Sequence, residues 1–295
     1  MSGDVLQVVR AGALTTVQDV GRAGFAHLGV PRSGALDLPA HLLANRLVGN
    51  GAGAAGLETT VSGCALRPTR TVVVAVTGAA CPVRVDGRPV AWGAPVPVPG
   101  GALLDVGAAT VGLRSYVAVA GGIAVDAVLG SRATDLLSGL GPAPLADGDS
   151  LPVGPERGRG VAADVLPYGS AGPELVLPLL PGPRDDWFAP GALRALVTGE
   201  YTVSPASNRI GLRVLGPALH RAAGRDGELP SEGMVLGAVQ VPPDGLPVVF
   251  LADHPTTGGY PVIGVVPEQS LAAAAQSAPG ARVRFVALRA TRPAL

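Results

Sequence analysis

Glycine and proline punctuate this chain so densely that no long regular element survives. They supply 43 and 29 of its 295 residues. Val72 to Val76 stops at Thr77-Gly78, and Leu271 to Ala275 is flanked by Gln269 and Gln276. Glycine favours turns, and proline removes a backbone donor from helices and inner strands. A chain interrupted this often folds as short strands joined by turns, with few helices. The same interruptions exclude a membrane-spanning helix, which needs about 20 apolar residues in a row. Met1 to Arg10 contain Asp4 and Gln7 and lack a continuous apolar run. The expectation is therefore a cytoplasmic protein without a secretory leader.

Strand signals lie at Leu6 to Val9, Thr71 to Thr77, Leu103 to Val106 and Ser115 to Ala120, each alternating or β-branched and bounded by Gly or Pro. Further strands are expected at Glu174 to Leu180, Val235 to Val241 and Val248 to Ala252. One helix is predicted between them. Asp37 is its N-cap, Ala40, Leu43, Ala44 and Leu47 form its apolar stripe, Gly49 ends it, and His41, Asn45 and Arg46 occupy the opposite face. Short helices are expected near Ala192 to Val197 and from Pro267 to Gln276.

A glycine turn followed by alternating apolar residues recurs at Pro99 to Val106, Asp147 to Val153 and Pro279 to Val286. Such turns restart strands, pointing to antiparallel barrels or sandwiches, with the second and third copies closing two domains. The stretch Gly154 to Gly172 has the weakest periodicity and is the expected linker. Residues 1–165 and 166–295 are accordingly read as two domains.

Composition narrows the chemistry. All 22 cationic residues are arginine, and no lysine occurs. A Walker A loop, a Schiff-base amine, a pyridoxal-phosphate anchor and a biotinyl-lysine all need the missing amine. The 22 acidic residues bring the formal net charge to zero, which argues against nucleic acid or an anionic membrane as partner. His27, His41, His220 and His254 lack metal-ligand spacing, so no metal is expected. Cys64 and Cys81 read as small buried hydrophobes.

Polar residues in glycine-rich turns are the remaining candidates. Asp19 and Arg22, in Gln18-Asp19-Val20-Gly21-Arg22, offer either a ligand-binding acceptor and guanidinium or a loop-fixing ion pair. Ser33 lies in the neighbouring Pro31-Arg32-Ser33-Gly34 turn and has no nucleophile-elbow signature. Glu58, in an apolar strand context, is either a general base or the anchor for Arg22. Trp187 and Phe188, following Arg184, read first as a hydrophobic plug and second as a planar clamp. Asn208 and Arg209 precede a glycine and an alternating strand, where a guanidinium can bind a carboxylate or form an ordinary ion pair. Thr257, Gly258, Gly259 and Tyr260, with Gln240, suit an amide or ureido group bonded from several sides.

The ordered series Thr16-Val17-Gln18-Asp19-Val20-Gly21-Arg22, Gly29-Val30-Pro31-Arg32-Ser33-Gly34-Ala35, Ala44-Asn45-Arg46-Leu47-Val48-Gly49-Asn50, Val119-Ala120-Gly121-Gly122-Ile123, Leu129-Gly130-Ser131-Arg132, Asn208-Arg209-Ile210-Gly211-Leu212-Arg213, Ser231-Glu232-Gly233 and Thr257-Gly258-Gly259-Tyr260-Pro261 resembles one family. That family is variously named for the carboxyltransferase domain of urea carboxylase, allophanate hydrolase subunit 2, KipA and the 5-oxoprolinase C subunit. The resemblance implies a mainly β fold of two cyclophilin-like β-barrel domains with a few peripheral helices. It implies a KipI-like B subunit and a LamB/YcsF-type A subunit as partners, and ATP-dependent opening of 5-oxo-L-proline to L-glutamate, with ATP used by the complex. Carboxyl transfer to urea and non-catalytic regulation of a KipI-like partner are the alternatives it carries. With no lysine, the chain bears no covalent biotin. In the lactam reading, Tyr260, Gln240 and Glu58 are the catalytic candidates. Arg209, Asn208, Thr257, Gly258, Gly259, Asp19, Arg22 and Ser33 are the substrate-binding ones.

Overall fold

Strands form where β-branched runs meet glycine turns, and they assemble into two compact units. The computed structural model describes residues 5–156, 158, 160–161, 174–225 and 227–288. Unit 1 groups Met1–Ala23 with Ser33–Ser170, and unit 2 groups Gly24–Arg32 with Ala171–Leu295. Most of the expected linker and the expected boundary at 165/166 lie outside the described residues.

Unit 1 contains β1 (Val5–Arg10), β2 (Leu14–Gln18), β3 (Gly56–Thr60), β4 (Cys64–Pro68), β5 (Val72–Ala80), β6 (Val83–Val85), β7 (Arg88–Pro89), β8 (Val96–Val98), β9 (Leu104–Val106), β10 (Val111–Val119) and β11 (Ser150–Pro152). They form a six-stranded sheet, β11-β1-β4-β9-β6-β7, and a five-stranded sheet, β2-β3-β10-β5-β8. Both sheets contribute to one core, including Leu6, Leu66 and Leu104 from the first and Val74, Val76 and Val117 from the second. Removing each such side chain from water contributes about 1.5–3 kcal/mol.

Helix α1 (Leu38–Leu47) packs on β5 and β10 through Ala40, Ala44 and Leu47 against Ala75 and Ala118. Small residues on both surfaces let the helix lie close to the sheet. Asp37 caps it as expected, accepting a 3.0 Å hydrogen bond from Ala40 N, and Gly49 follows it with φ 79°. The expected stripe faces inward, with Ala40, Ala44 and Leu47 buried and Leu43 packed against the same cluster, while Arg46 is exposed. His41 and Asn45, expected on the opposite face, are buried as well, beside polar groups of the underlying strands.

Unit 2 contains β12 (Glu174–Pro181), α2 (Ala192–Thr198), β13 (Tyr201–Val203), β14 (Gly211–Leu215), β15 (Glu232–Gly233), β16 (Ala238–Gln240), β17 (Val248–Phe250), β18 (Thr257–Gly258), β19 (Val262–Val265), α3 (Leu271–Ala275) and β20 (Arg282–Ala287). The third helix begins as a 3-10 turn, Glu268–Ser270, after Pro267. Seven strands close a barrel in the order β12-β19-β16-β17-β14-β13-β20, and β15 pairs with β18 outside it. The second and third turn-strand repeats both return to the first strand of their unit: β11 pairs with β1, and β20 with β12. The latter pair is parallel, with Leu177 opposite Phe285, so the barrel is not wholly antiparallel. Among the described residues, no helix is long and apolar enough to cross a membrane.

Candidate functional site

The candidate residues fall into two sets, one in each unit. In unit 2 the hairpin of β15 and β18 places Glu232 opposite Gly258 and Gly233 opposite Thr257. Gln240, at the end of β16 and 7% exposed, reaches under this turn. Its Nε2 donates to the Tyr260 carbonyl oxygen at 3.1 Å. Gly258 permits that approach, since a Cβ there would lie 2.7 Å from Gln240 Nε2. Leu229 N donates to Gly259 O at 2.8 Å, and Val241 N to Pro261 O at 3.0 Å, fixing the turn on both sides. The Tyr260 ring is partly buried, and Thr257 is exposed. The arrangement sets the Gly258 backbone and the Tyr260 carbonyl directly against the buried Gln240 carboxamide.

Arg209 has a different place from the one expected. Its guanidinium is fully buried and spans Asp253, with Nε to Oδ2 at 2.9 Å and Nη2 to Oδ1 at 3.0 Å. A guanidinium fork engaged with a buried carboxylate is not available to a substrate carboxylate. Arg209 instead positions the chain entering the turn, since Asp253 N also donates to Arg209 O at 3.1 Å. Asn208 accepts from Ile210 N at 2.9 Å and Gly211 N at 3.2 Å, an Asx turn leading into β14.

The clamp geometry at Arg184 and Trp187 is also absent: Arg184 pairs with Glu232, and the Trp187 ring lies under Arg225, 5.0 Å from guanidinium to centroid. Trp187 and Phe188 are 9% and 5% exposed, as a hydrophobic plug requires.

In unit 1, Asp19 and Arg22 do not pair with each other. Asp19 accepts from Gly21 N (2.8 Å), Ser131 Oγ (2.6 Å) and Arg132 N (2.7 Å). Arg22 donates to the carbonyl oxygens of Val128 and Ala133. Ser33, at φ 53°, donates to Thr134 O at 3.0 Å. Glu58 anchors a different group from Arg22. Its Oε2 accepts from Tyr116 Oη at 2.8 Å and Leu36 N at 3.0 Å, and Arg114 Nε stands 3.7 Å from Oε1.

The carboxyltransferase-domain model, subdomains A and B, matches residues 28–287. The chain is 40% identical to the 5-oxoprolinase C subunit of Escherichia coli over 285 residues, covering 96% of this chain and 91% of that protein. It is 32% identical to the urea amidolyase of Lachancea kluyveri, covering 95% of this chain and 17% of that one. Its fold superimposes on the urea carboxylase of Kluyveromyces lactis with a TM-score of 0.90 at 32% identity, over 97% of this chain and 27% of that chain. The chain belongs to the carboxyltransferase-domain family.

Within this carboxyltransferase-domain chain, two buried groups beside Glu58 are not among the residues that sequence patterns single out. Tyr116, fully buried, accepts from Asp37 N at 2.7 Å while donating to Glu58. Burial first, then the charges of Glu58 and Asp37, raise its phenol well above the ordinary value, so it stays a donor. His41 stands edge-on to Tyr116, with centroids 6.2 Å apart, and Asn45 Nδ2 lies 3.1 Å from its Nε2. Burial lowers the His41 pKa, against the opposing charges of Asp19 and Glu58. A signal for both exists in principle: a tyrosine in a β-branched strand needs a hydroxyl partner when buried, and His41 and Asn45 at i and i+4 share one helix face. Cys64 and Cys81 are free and buried as expected, and burial pushes the Cys64 thiol up to about 12. Among the described residues no cluster of His, Cys, Asp and Glu has the makings of a metal site.

Proposed function

We propose that this chain is the C subunit of an ATP-dependent 5-oxoprolinase complex that opens 5-oxo-L-proline to L-glutamate. The observation carrying this reading is the 40% identity to the Escherichia coli protein of that name, extending over 96% of this chain and 91% of that protein. A KipI-like B subunit and a LamB/YcsF-type A subunit complete the assembly. Ring opening adds water across the lactam C–N bond, and ATP hydrolysis by the complex drives it. With no lysine in the sequence, the chain has no P-loop amine, so phosphate recognition rests on arginines and backbone amides of this chain or on the partner subunits.

The chemistry assigned to this chain is local. The turn at Gly258 and Gly259 and the Tyr260 hydroxyl hold the lactam flat and stabilise negative charge on its carbonyl oxygen. Gln240 positions that turn. Tyr260→Phe is expected to lower turnover of the reconstituted complex about tenfold, equivalent to about 1.4 kcal/mol. An unchanged rate would remove Tyr260 from the mechanism.

Carboxyl transfer is the second reading, favoured by the TM-score of 0.90 to a urea carboxylase. The two separate on substrates. The first requires 5-oxo-L-proline-dependent ATP hydrolysis with both partners; the second requires urea carboxylation stimulated by a separate biotin carboxylase and biotin carrier.

A further inference from the structure

Among the described residues, three arginines are 5% exposed or less: Arg22, Arg114 and Arg209. Arg209 lies against Asp253 and Arg114 beside Glu58, but Arg22 has no carboxylate within ion-pair distance among the described residues. Its Nε is 3.4 Å from Val128 O, Nη2 donates to Ala133 O, and Nη1 is buried without a hydrogen-bond partner. A buried guanidinium held only by neutral carbonyls carries an uncompensated charge, an arrangement that favours an anion.

Two more orphaned atoms lie on the two stretches of chain that Arg22 bridges: Gln18 Oε1, at the end of β2, and Thr134 Oγ1, next to Ala133, both buried and unpartnered. Gln18 Nε2 donates to Thr134 O at 3.0 Å, next to the Ala133 carbonyl that Arg22 grips. The two stretches are held firmly together, by the Asp19 carboxylate on Ser131 and Arg132 and by Thr134 N on Val17 O at 2.9 Å. The orphans are thus a cationic donor, a hydroxyl and an amide acceptor carried by a fixed backbone.

We propose that Arg22, Thr134 and Gln18 form a subsite for a small oxyanion that carries its own donor. The guanidinium and hydroxyl take the anionic oxygens, and Gln18 Oε1 accepts from the ligand's N–H or O–H. A carboxylate beside a lactam N–H, bicarbonate and hydrogen phosphate share this chemistry. The proposal rests on the assigned function only in naming 5-oxo-L-proline among them.

Binding to the full chain without partners or ATP tests the subsite apart from turnover. Thermal unfolding and calorimetry would be run with 5-oxo-L-proline, bicarbonate and inorganic phosphate, against chloride at equal ionic strength. At least one oxyanion is expected to raise Tm and bind measurably. Arg22→Gln should weaken that binding tenfold or more. Thr134→Val, isosteric and free of the orphaned hydroxyl, should keep the ligand-free Tm and bind at least threefold more weakly. If Arg22→Gln does not fold, Thr134→Val decides. Absence of any oxyanion effect beyond chloride, or binding unchanged in Thr134→Val, would overturn the proposal. Binding of bicarbonate or phosphate without 5-oxo-L-proline would support the subsite while separating it from the lactam substrate.

Discussion

Arg209 shows how far a single residue can be read from its neighbours in sequence. Its type and the following glycine mark a guanidinium at the start of a strand, but the carboxylate that engages it lies 44 positions away. Only the fold brings them together, and with them burial turns a candidate ligand contact into a positioning ion pair. Arg209→Ala would leave Asp253 charged and buried, so a stability loss of about 3–5 kcal/mol is expected in urea denaturation. A loss below about 1 kcal/mol would mean that the pair does not hold the turn. His41 makes a second prediction at this scale. Its folded pKa lies below the ordinary 6.5, so the unfolded chain binds the proton more readily. Its contribution is present above the unfolded value and is lost as pH falls through the folded one. The denaturation midpoint should decline on acidification from pH 8 to pH 5, and His41→Gln should flatten that decline. An equal decline in both proteins would place the sensitivity elsewhere.

Elements are more legible than the partners of individual side chains. Alternating β-branched residues bounded by glycine locate β5, β9, β10, β12 and β17, and Asp37 and Gly49 mark the ends of α1. Periodicity also locates the apolar stripe of α1, but not the burial of His41 and Asn45 beside it, because it assumes an apolar neighbour. The underlying strands supply Tyr116 and Thr77, whose hydroxyl donates to Ala40 O at 2.7 Å. The turn after β17 is a similar case. Its glycines are readable as turn formers, whereas the need for Gly258 comes from Gln240 crossing beneath it. A methyl in Gly258→Ala would displace the carboxamide from Tyr260 O. Because the displaced atom ends a flexible side chain, the stability cost should stay below about 2 kcal/mol, while turnover of the complex should fall at least fivefold. Wild-type turnover in a folded Gly258→Ala protein would reduce this turn to a structural role.

At the scale of the whole chain, sequence spacing exposes the recurrent turn-strand repeat, and two of its copies return to the first strand of their respective units. The assignment of Gly24–Arg32 to unit 2 follows from contacts distant in sequence, which local patterns cannot encode. Function is carried by the ordered motif series together with near full-length similarity to a 5-oxoprolinase C subunit, because no motif here contains a complete catalytic set. The missing lysines agree with a division of labour in which nucleotide chemistry resides with partner subunits. The most direct measurement is glutamate release from 5-oxo-L-proline and ATP by the two purified partner subunits, with and without this chain. ATP-dependent glutamate production only when the chain is present is the predicted result. Production at the same rate without it, or none in the complete and correctly assembled mixture, would contradict the proposed 5-oxoprolinase role.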